Sequence, residues 1–375
     1  MLKAAMVTPD LSLVGAARWL VDLIKFTHPD KIRWTGVAVS GYGGVNKMLA
    51  AELHELGIYI HVQHSKDRPP HAKPLDLTYV HQENHGDFHN TVGCVAGSAD
   101  VIVTWGSVDC KHWLPPNWGD KPVVCVAHQS KRQTRPINGP THLVAVSNKA
   151  VEFFPDPQMP VKVIHNGVDS RRCAYSTTTR PEFRKKCYIN DDDVVVGFIG
   201  RQTNDKRPQL VAEAVKILNR DCGKTQLLLV GEGPQCKEIN YELMSWCEDN
   251  IQRDFYVAEP VRQIGDVYNA IDVVVMPSES EACSLTLLEC WMAGVPVVST
   301  RTGCIPEVEL LYSRPPVFAL PDDPTPQDIV DGVLDAVYPK KCDRLVSMCR
   351  KIAHNHFTVE KMAEQWQYYL EGICG

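Results

Sequence analysis

The chain of 375 residues has no apolar run approaching the roughly 18 residues that a membrane-crossing helix needs. It has no excess of positive charge either: 39 Lys and Arg stand against 45 Asp and Glu, for a formal net charge of −6. The first 170 residues are close to neutral and the acidity falls in the remainder. Neither part offers the basic surface that bulk attraction to nucleic acid or anionic lipid requires. Among 14 cysteines there is no Cys-x-x-Cys pair, and the gaps are irregular, which sets aside zinc ribbons and dithiol redox motifs. Cys125, Cys283 and Cys290 sit among apolar neighbours, as buried free thiols in a reducing compartment do. The opening MLKAAMVT reads as a strand rather than a signal peptide, so a cytoplasmic protein is expected. A full dinucleotide fingerprint is also missing. Gly231-Glu232-Gly233 begins one, but Cys236 stands where the third glycine belongs.

What is present is ordinary globular material, 44% hydrophobic and 22% charged, in a length that favours two domains. Its most informative stretch runs from Asp272 to Val308. Val273–Met276 reads as a buried strand, stopped by Pro277 and Ser278. A polar loop then carries Glu279 and Glu281, a helix follows with Leu285, Leu288, Trp291 and Met292, Gly294 closes it, and Val295–Ser299 is a second strand. Such a strand–loop–helix–strand unit belongs to a parallel sheet, which binds ligands at the carboxyl ends of its strands. Glu281 precedes the helix and Glu289 lies inside it, which sets the two acids roughly 10 Å apart. Between them the amides of Ser284 and Leu285 open the helix, where unpaired N–H groups favour an anion. Acid, anion site and acid in that order suit a sugar hydroxyl, a pyrophosphate and a ribose laid end to end.

The second half starts with the strand Val194–Ile199, ended by Gly200. Arg201 and Lys206 follow on a polar loop, spaced as two cations that hold a pyrophosphate and stabilise charge on a leaving diphosphate.

EACSLTLLE at 281–289, with AGVPVVST and GCIPEV after it, resembles the E-x7-E signature of family 4 of the retaining GT-B glycosyltransferases. GRQTNDK at 200–206 resembles that family's Gly-Arg…Lys motif, with Arg207 in place of the usual next glycine. The resemblance implies a donor-phosphate or acceptor contact at Gly15-Ala16, and a histidine facing the transferred sugar at His128 in VVCVAHQS. The residue after that histidine is often Asp in the family; here it is Gln129. It also implies nucleotide proximity for the GEGP turn at Glu232, and a base contact near Val257, where the usual Phe-x-Gly has become FYVAEP. The NGVD at 166–169 resembles the family's interdomain joint.

Two other features invite function. His81, His85 and His89 have the spacing of one helix face, although no acid or cysteine completes a metal-ligand set. The basic run Lys131–Arg135 reads as a solvated loop or as a contact to an anionic acceptor.

The expected architecture is α/β: two Rossmann-like domains facing across a cleft in the GT-B manner. Residues 1–170 form the acceptor-binding domain, 171–356 the nucleotide-sugar domain, and 357–375 a helix returning to the first domain, where Trp366, Tyr369 and Leu370 bury. The expected activity is retaining transfer of a hexose, glucose from UDP-glucose first, to an acceptor hydroxyl. Arg201, Lys206, Glu281 and His128 are the expected catalytic set, with no cofactor and no metal. A nucleotide-sugar 2-epimerase of the same fold and a non-catalytic sugar-nucleotide or glycan-binding subunit are the alternatives.

Overall fold

The computed structural model describes the chain apart from residues 12–14, 41–43, 64–79, 84–87, 106–108, 117, 129–135, 155–157, 175–178, 232–236, 253, 259–262 and 338, and apart from the side chains at 80–83, 237–240, 258 and 339–341. The chain divides into two compact units. Unit 1 is Met1–Asn166 with Val359–Gly375, and unit 2 is Gly167–Thr358.

Unit 1 is built on strands β1 (Leu2–Thr8), β2 (Ile32–Val39), β3 (Ile60–Gln63), β4 (Val80–Glu83), β5 (Val101–Trp105), β6 (Val123–Ala127), β7 (His142–Ala145) and β8 (Val161–Val163). They form one parallel sheet in the order β4-β3-β2-β1-β5-β6-β7-β8. The apolar runs VIVTW and VVCVA of β5 and β6 are buried at every residue, the mark of strands covered on both faces. The order reverses between β1 and β5, and the helix Gly15–Phe26 begins just past β1 at that point. The last helix, Val359–Cys374, packs on this first helix. Trp366 and Leu370 are fully buried and Tyr369 partly so, and Trp366 meets Trp19 edge-on at 5.5 Å between ring centroids.

Unit 2 repeats the plan with β9 (Val194–Ile199), β10 (Thr225–Val230), β11 (Phe255–Ala258), β12 (Val273–Met276), β13 (Val297–Ser299) and β14 (Phe318–Ala319), in the order β11-β10-β9-β12-β13-β14. Again all pairings are parallel, and the order reverses between β9 and β12. Asp272, just before β12, fixes that pair: its carboxylate accepts the Val195 N–H at 2.8 Å, Arg180 at 2.6 Å and the buried Arg184 at 2.7 Å. The helix Leu285–Ala293 is buried at every residue except Thr286, so it shows no polar face. Gly294 ends it in the left-handed conformation, at φ 80.

The stretch before Gly97, which shows little pattern, holds both β4 and the helix Phe88–Ala96. This corrects the expectation of a histidine-bearing helix face. His81 lies in a strand and His89 in a helix, while His85 falls outside the described residues, as do Gln129 and the basic run Lys131–Arg135. Among the described residues no group of three or more His, Cys, Asp or Glu is placed to hold a metal ion.

The burial of Trp366 in unit 1 yields a test. Trp366→Ala is expected to cost about 4 kcal/mol, read by urea denaturation as a lowered midpoint for unit 1. A midpoint equal to that of the wild type would contradict the packing described.

Candidate functional site

The reversal point of the unit 2 sheet is bordered by two loops, one after β9 and one after β12. Parallel strands present their carboxyl-terminal loops to a ligand there. β9 ends at Ile199, and Gly200, Arg201, Gln202 and Thr203 lead into a short 3-10 turn, Asn204–Lys206. The second loop carries Ser278 to Ser284. Hydrogen bonds tie the two together: Glu279 N–H donates to the Asp205 carbonyl at 2.8 Å, and Lys206 Nζ donates to the Ser280 carbonyl at 2.9 Å. Lys206 also reaches Glu281 Oε1 at 2.7 Å, so the expected cation and the expected acid are in direct contact. Their side chains are only 12% and 17% exposed, which places the pair at the floor of the loops rather than in bulk solvent.

Glu281 is held from the other side too. The Ser278 hydroxyl donates to its Oε1 at 2.8 Å, and the Thr300 hydroxyl, just past β13, donates to the Ser278 carbonyl at 2.6 Å. Gly303 makes room: it sits at φ 60, and a Cβ there would lie 3.1 Å from the Ala282 carbonyl oxygen and 3.3 Å from the Glu281 Cβ. Arg201 differs from Lys206. It is half exposed, and Asp205 is 4.0 Å from its guanidinium.

The helix Leu285–Ala293 begins against the same strand end, because the Thr286 hydroxyl donates to the Ile199 carbonyl at 3.3 Å. Ser284 is its N-cap, and its side chain accepts the Leu287 N–H. The amides that precede Leu287 in this first turn have no intrahelical acceptor. Ser284 and Leu285 therefore stand with Arg201, Lys206 and Glu281 at one edge of the sheet. A helix N-terminus favours an anion, and the two cations at this edge are each paired with an acid, Arg201 with Asp205 and Lys206 with Glu281.

Glu289 lies deeper in that helix and is buried. The Tyr268 hydroxyl donates to its Oε2 at 2.8 Å, and Arg172 lies 4.0 Å from Oε1. Burial, then the charge of Glu289, pushes the Tyr268 phenol well above its ordinary range. Burial likewise raises the neighbouring thiols Cys173 and Cys290, with Glu289 adding to it. They stay protonated and are poor nucleophiles. Val257 is on β11, where its side chain packs against the hydrophobic core of unit 2, and Glu232 lies outside the described residues.

Gln202 escaped the reading of the sequence. It is fully buried, its Nε2 donates to the Gly231 carbonyl at 3.1 Å, and its Oε1 has no hydrogen-bond partner among the described residues. It joins the loop after β9 to the loop after β10, where a Cβ on Gly231 would come within 2.4 Å of the Gly200 carbonyl oxygen. A polar residue directly after Gly-Arg at a strand end was the available signal.

In unit 1, Gly15 and Ala16 open the helix that follows β1, with Gly15 exposed and Ala16 half-buried. His128 comes directly after β6, with its ring 4.4 Å from Trp19 and 6.3 Å from Trp105, centroid to centroid. Its Nε2 is buried without a hydrogen-bond partner among the described residues, and burial lowers its pKa to about 3. At neutral pH the imidazole is uncharged.

Residues 193–336 match the family described as glycosyl transferases group 1. The D-inositol 3-phosphate glycosyltransferase of Segniliparus rotundus is 30% identical over 159 residues, which are 41% of this chain and 34% of that one. The N-acetyl-alpha-D-glucosaminyl L-malate synthase of Bacillus anthracis is 25% identical over 218 residues, 57% of this chain and 54% of that one. The match thus spans between about a third and a half of these relatives. Among solved structures, Anabaena HepE in complex with UDP-glucose superposes with a TM-score of 0.77 over 99% of this chain and all of that one, at 17% identity. The sucrose-phosphate synthase of Thermosynechococcus elongatus gives 0.68 over the whole of this chain and 99% of that one, at 14% identity. The two parallel sheets with their helices are the GT-B fold.

The apolar setting of His128 sets a pH dependence. Its folded pKa, about 3, lies below the ordinary value of 6.5. The unfolded chain therefore binds the proton first, and the stability gained from burying the neutral ring is full above about pH 6.5 and lost as pH falls toward 3. An NMR titration is expected to show the His128 ring neutral from pH 8 down to pH 4. Protonation near pH 6.5 would contradict the burial described.

Proposed function

We propose that this chain, whose residues 193–336 match the family described as glycosyl transferases group 1, moves a hexosyl group from a nucleoside diphosphate sugar to an acceptor hydroxyl. The observation that carries the reading is the contact of Lys206 with Glu281 beside the N-terminus of the helix Leu285–Ala293, at the reversal point of a parallel sheet. A diphosphate entering there replaces Glu281 as the partner of Lys206. Glu281 is then released toward the sugar hydroxyls, which can donate to it.

In the proposed reaction the bond between the anomeric carbon and the diphosphate oxygen breaks, and its electron pair leaves with the diphosphate. Arg201, Lys206 and the amides of Ser284 and Leu285 stabilise that growing charge. The acceptor oxygen bonds to the anomeric carbon from the same face, its proton passing to the departing diphosphate, so configuration is retained. Fixed cations and a helix N-terminus supply the positive charge at the leaving group, which supports a reaction independent of added metal ion. Glu289 takes the ribose diol in this scheme, exchanging its present partner Tyr268 or sharing it. In this scheme Gly15-Ala16 serve the donor phosphates or the acceptor, and the end of β11 at Val257 serves the base. His128, uncharged and with no hydrogen-bond partner for its Nε2 among the described residues, orients the sugar rather than attacking it.

UDP-glucose is the first donor to test, because the Anabaena neighbour was crystallised with it. The acceptor class is a hydroxyl-bearing glycan, lipid or small molecule. No helix among the described residues is long and apolar enough to cross a membrane, and the cytoplasm is the proposed place of action.

The test is release of nucleoside diphosphate from a panel of sugar nucleotides in EDTA. Slow release from one donor is expected, with Glu281→Ala losing it by roughly a hundredfold or more. Glu289→Ala is expected to weaken binding of that donor about tenfold or more, measured by calorimetry. Unchanged affinity in that variant would sink the ribose assignment, and failure of every sugar nucleotide to bind the wild type would overturn the reading.

A further inference from the structure

Arg207 follows the lysine of the candidate site and breaks a local rule. Its backbone sits at φ 53, ψ 45, the left-handed region, where a residue with a Cβ costs roughly 1 kcal/mol more than glycine. It is also the N-cap of the helix Pro208–Asp221, yet gives that helix no side-chain hydrogen bond. Glycine would relieve the backbone, and Ser or Asp would serve the cap. Neither local role calls for arginine.

The side chain does. Its Nη1 donates to the Asp322 carbonyl at 3.0 Å, its Nη2 donates to Asp323 Oδ1 at 3.0 Å, and its Nε lies 3.7 Å from Glu279 Oε1. Asp322 and Asp323 follow β14, Glu279 belongs to the loop after β12, and Arg207 itself ends the loop after β9. One guanidinium thus joins three loops at the carboxyl edge of the sheet. Asp323 and Glu279 are exposed, 95% and 51% at their side chains, so each ion pair alone contributes little. The planar fork of arginine lets a single side chain satisfy all three directions at once, which a lysine cannot do. Arg207 is adjacent to Lys206, and Glu279 lies two residues before Glu281, so the clamp brackets the contact on which the donor site depends.

We propose that Arg207 is a positioning residue that holds the Glu279–Glu281 loop against Lys206 in the geometry that receives the donor. The assignment rests on the donor-site reading of the same loops. The backbone strain at φ 53 is the cost of placing a guanidinium where glycine would otherwise sit.

The experiment compares wild type, Arg207→Gly and Arg207→Lys by hydrogen exchange across residues 277–285, by thermal melting, and by calorimetric titration with UDP-glucose and with UDP. The Glu279 amide, which donates to the Asp205 carbonyl at 2.8 Å, is the internal reporter. Arg207→Gly is expected to melt no lower than wild type, because glycine relieves the backbone. Its 277–285 segment should nevertheless exchange faster, and its affinity for nucleotide should fall about tenfold. Arg207→Lys keeps the charge but not the fork and should behave like the glycine variant. A merely structural arginine would lower the melting temperature and leave affinity and local exchange unchanged. Exchange across 277–285 equal to wild type in Arg207→Gly overturns the clamp, whatever the binding result. Faster exchange there, with a wild type that binds neither nucleotide, upholds the clamp and overturns the donor reading instead.

Discussion

The carboxylate of Asp272 is the joint on which unit 2 depends. It accepts from the backbone of β9 at Val195 and from two arginines of the helix Thr179–Lys186. Arg184, buried, spends its remaining donors on the carbonyls of Ala270, Asn190, Asp191 and Asp193. A buried guanidinium is tolerable only when its hydrogen bonds are met in this way. The result fixes β12 beside β9 at their amino ends, with Val273 opposite Val196. Everything at the carboxyl ends inherits that register. A slip of one residue would turn each strand's side chains to the wrong face and carry Lys206 away from Glu281.

Much of the second unit was legible because its signals are local. The run DVVVM stops at Pro277, the helix stops at Gly294, and no polar residue interrupts either in a misleading way. The strand–loop–helix–strand unit therefore stands where its apolar pattern puts it. The contact of Lys206 with Glu281 was not legible in the same sense. The two residues are 75 apart in the chain, and only the placement of β9 next to β12 makes them neighbours. Family resemblance suggested both as ligands, but not that they would pair with each other. Gln202 was missed, and Arg207 stood out only as a departure from the family's glycine, for another reason. Left-handed backbone at a non-glycine residue and a buried amide linking two loops leave no periodic trace. The helix Phe88–Ala96 escaped as well, since Gly93 interrupts it and Thr91 is among its buried residues.

The proposed donor and sugar contacts sit in opposite electrostatic settings. In unit 2 the loops after β9 and β12 are dense with ions, each charge opposed within 4.0 Å by another. In unit 1, His128 lies among tryptophans, where burial keeps the ring neutral. In the proposed reaction charge develops on the leaving diphosphate, and the ion-dense loops of unit 2 are the ones assigned to it. Cys125, Cys173, Cys247 and Cys290 are buried, and burial holds their thiols protonated in both units.

Unit 1 is discontinuous, since its helix Val359–Cys374 is separated from the rest of its sequence by the whole of unit 2. During synthesis on the ribosome, Trp19 emerges before unit 2 and waits for Trp366 until unit 2 has been made. Unit 2, contiguous from Gly167 to Thr358, can condense while its predecessor still exposes an indole face. A nascent chain stalled before residue 359 would thus carry a complete unit 2 and a unit 1 whose first helix is uncovered, and chaperone occupancy should concentrate on the older part.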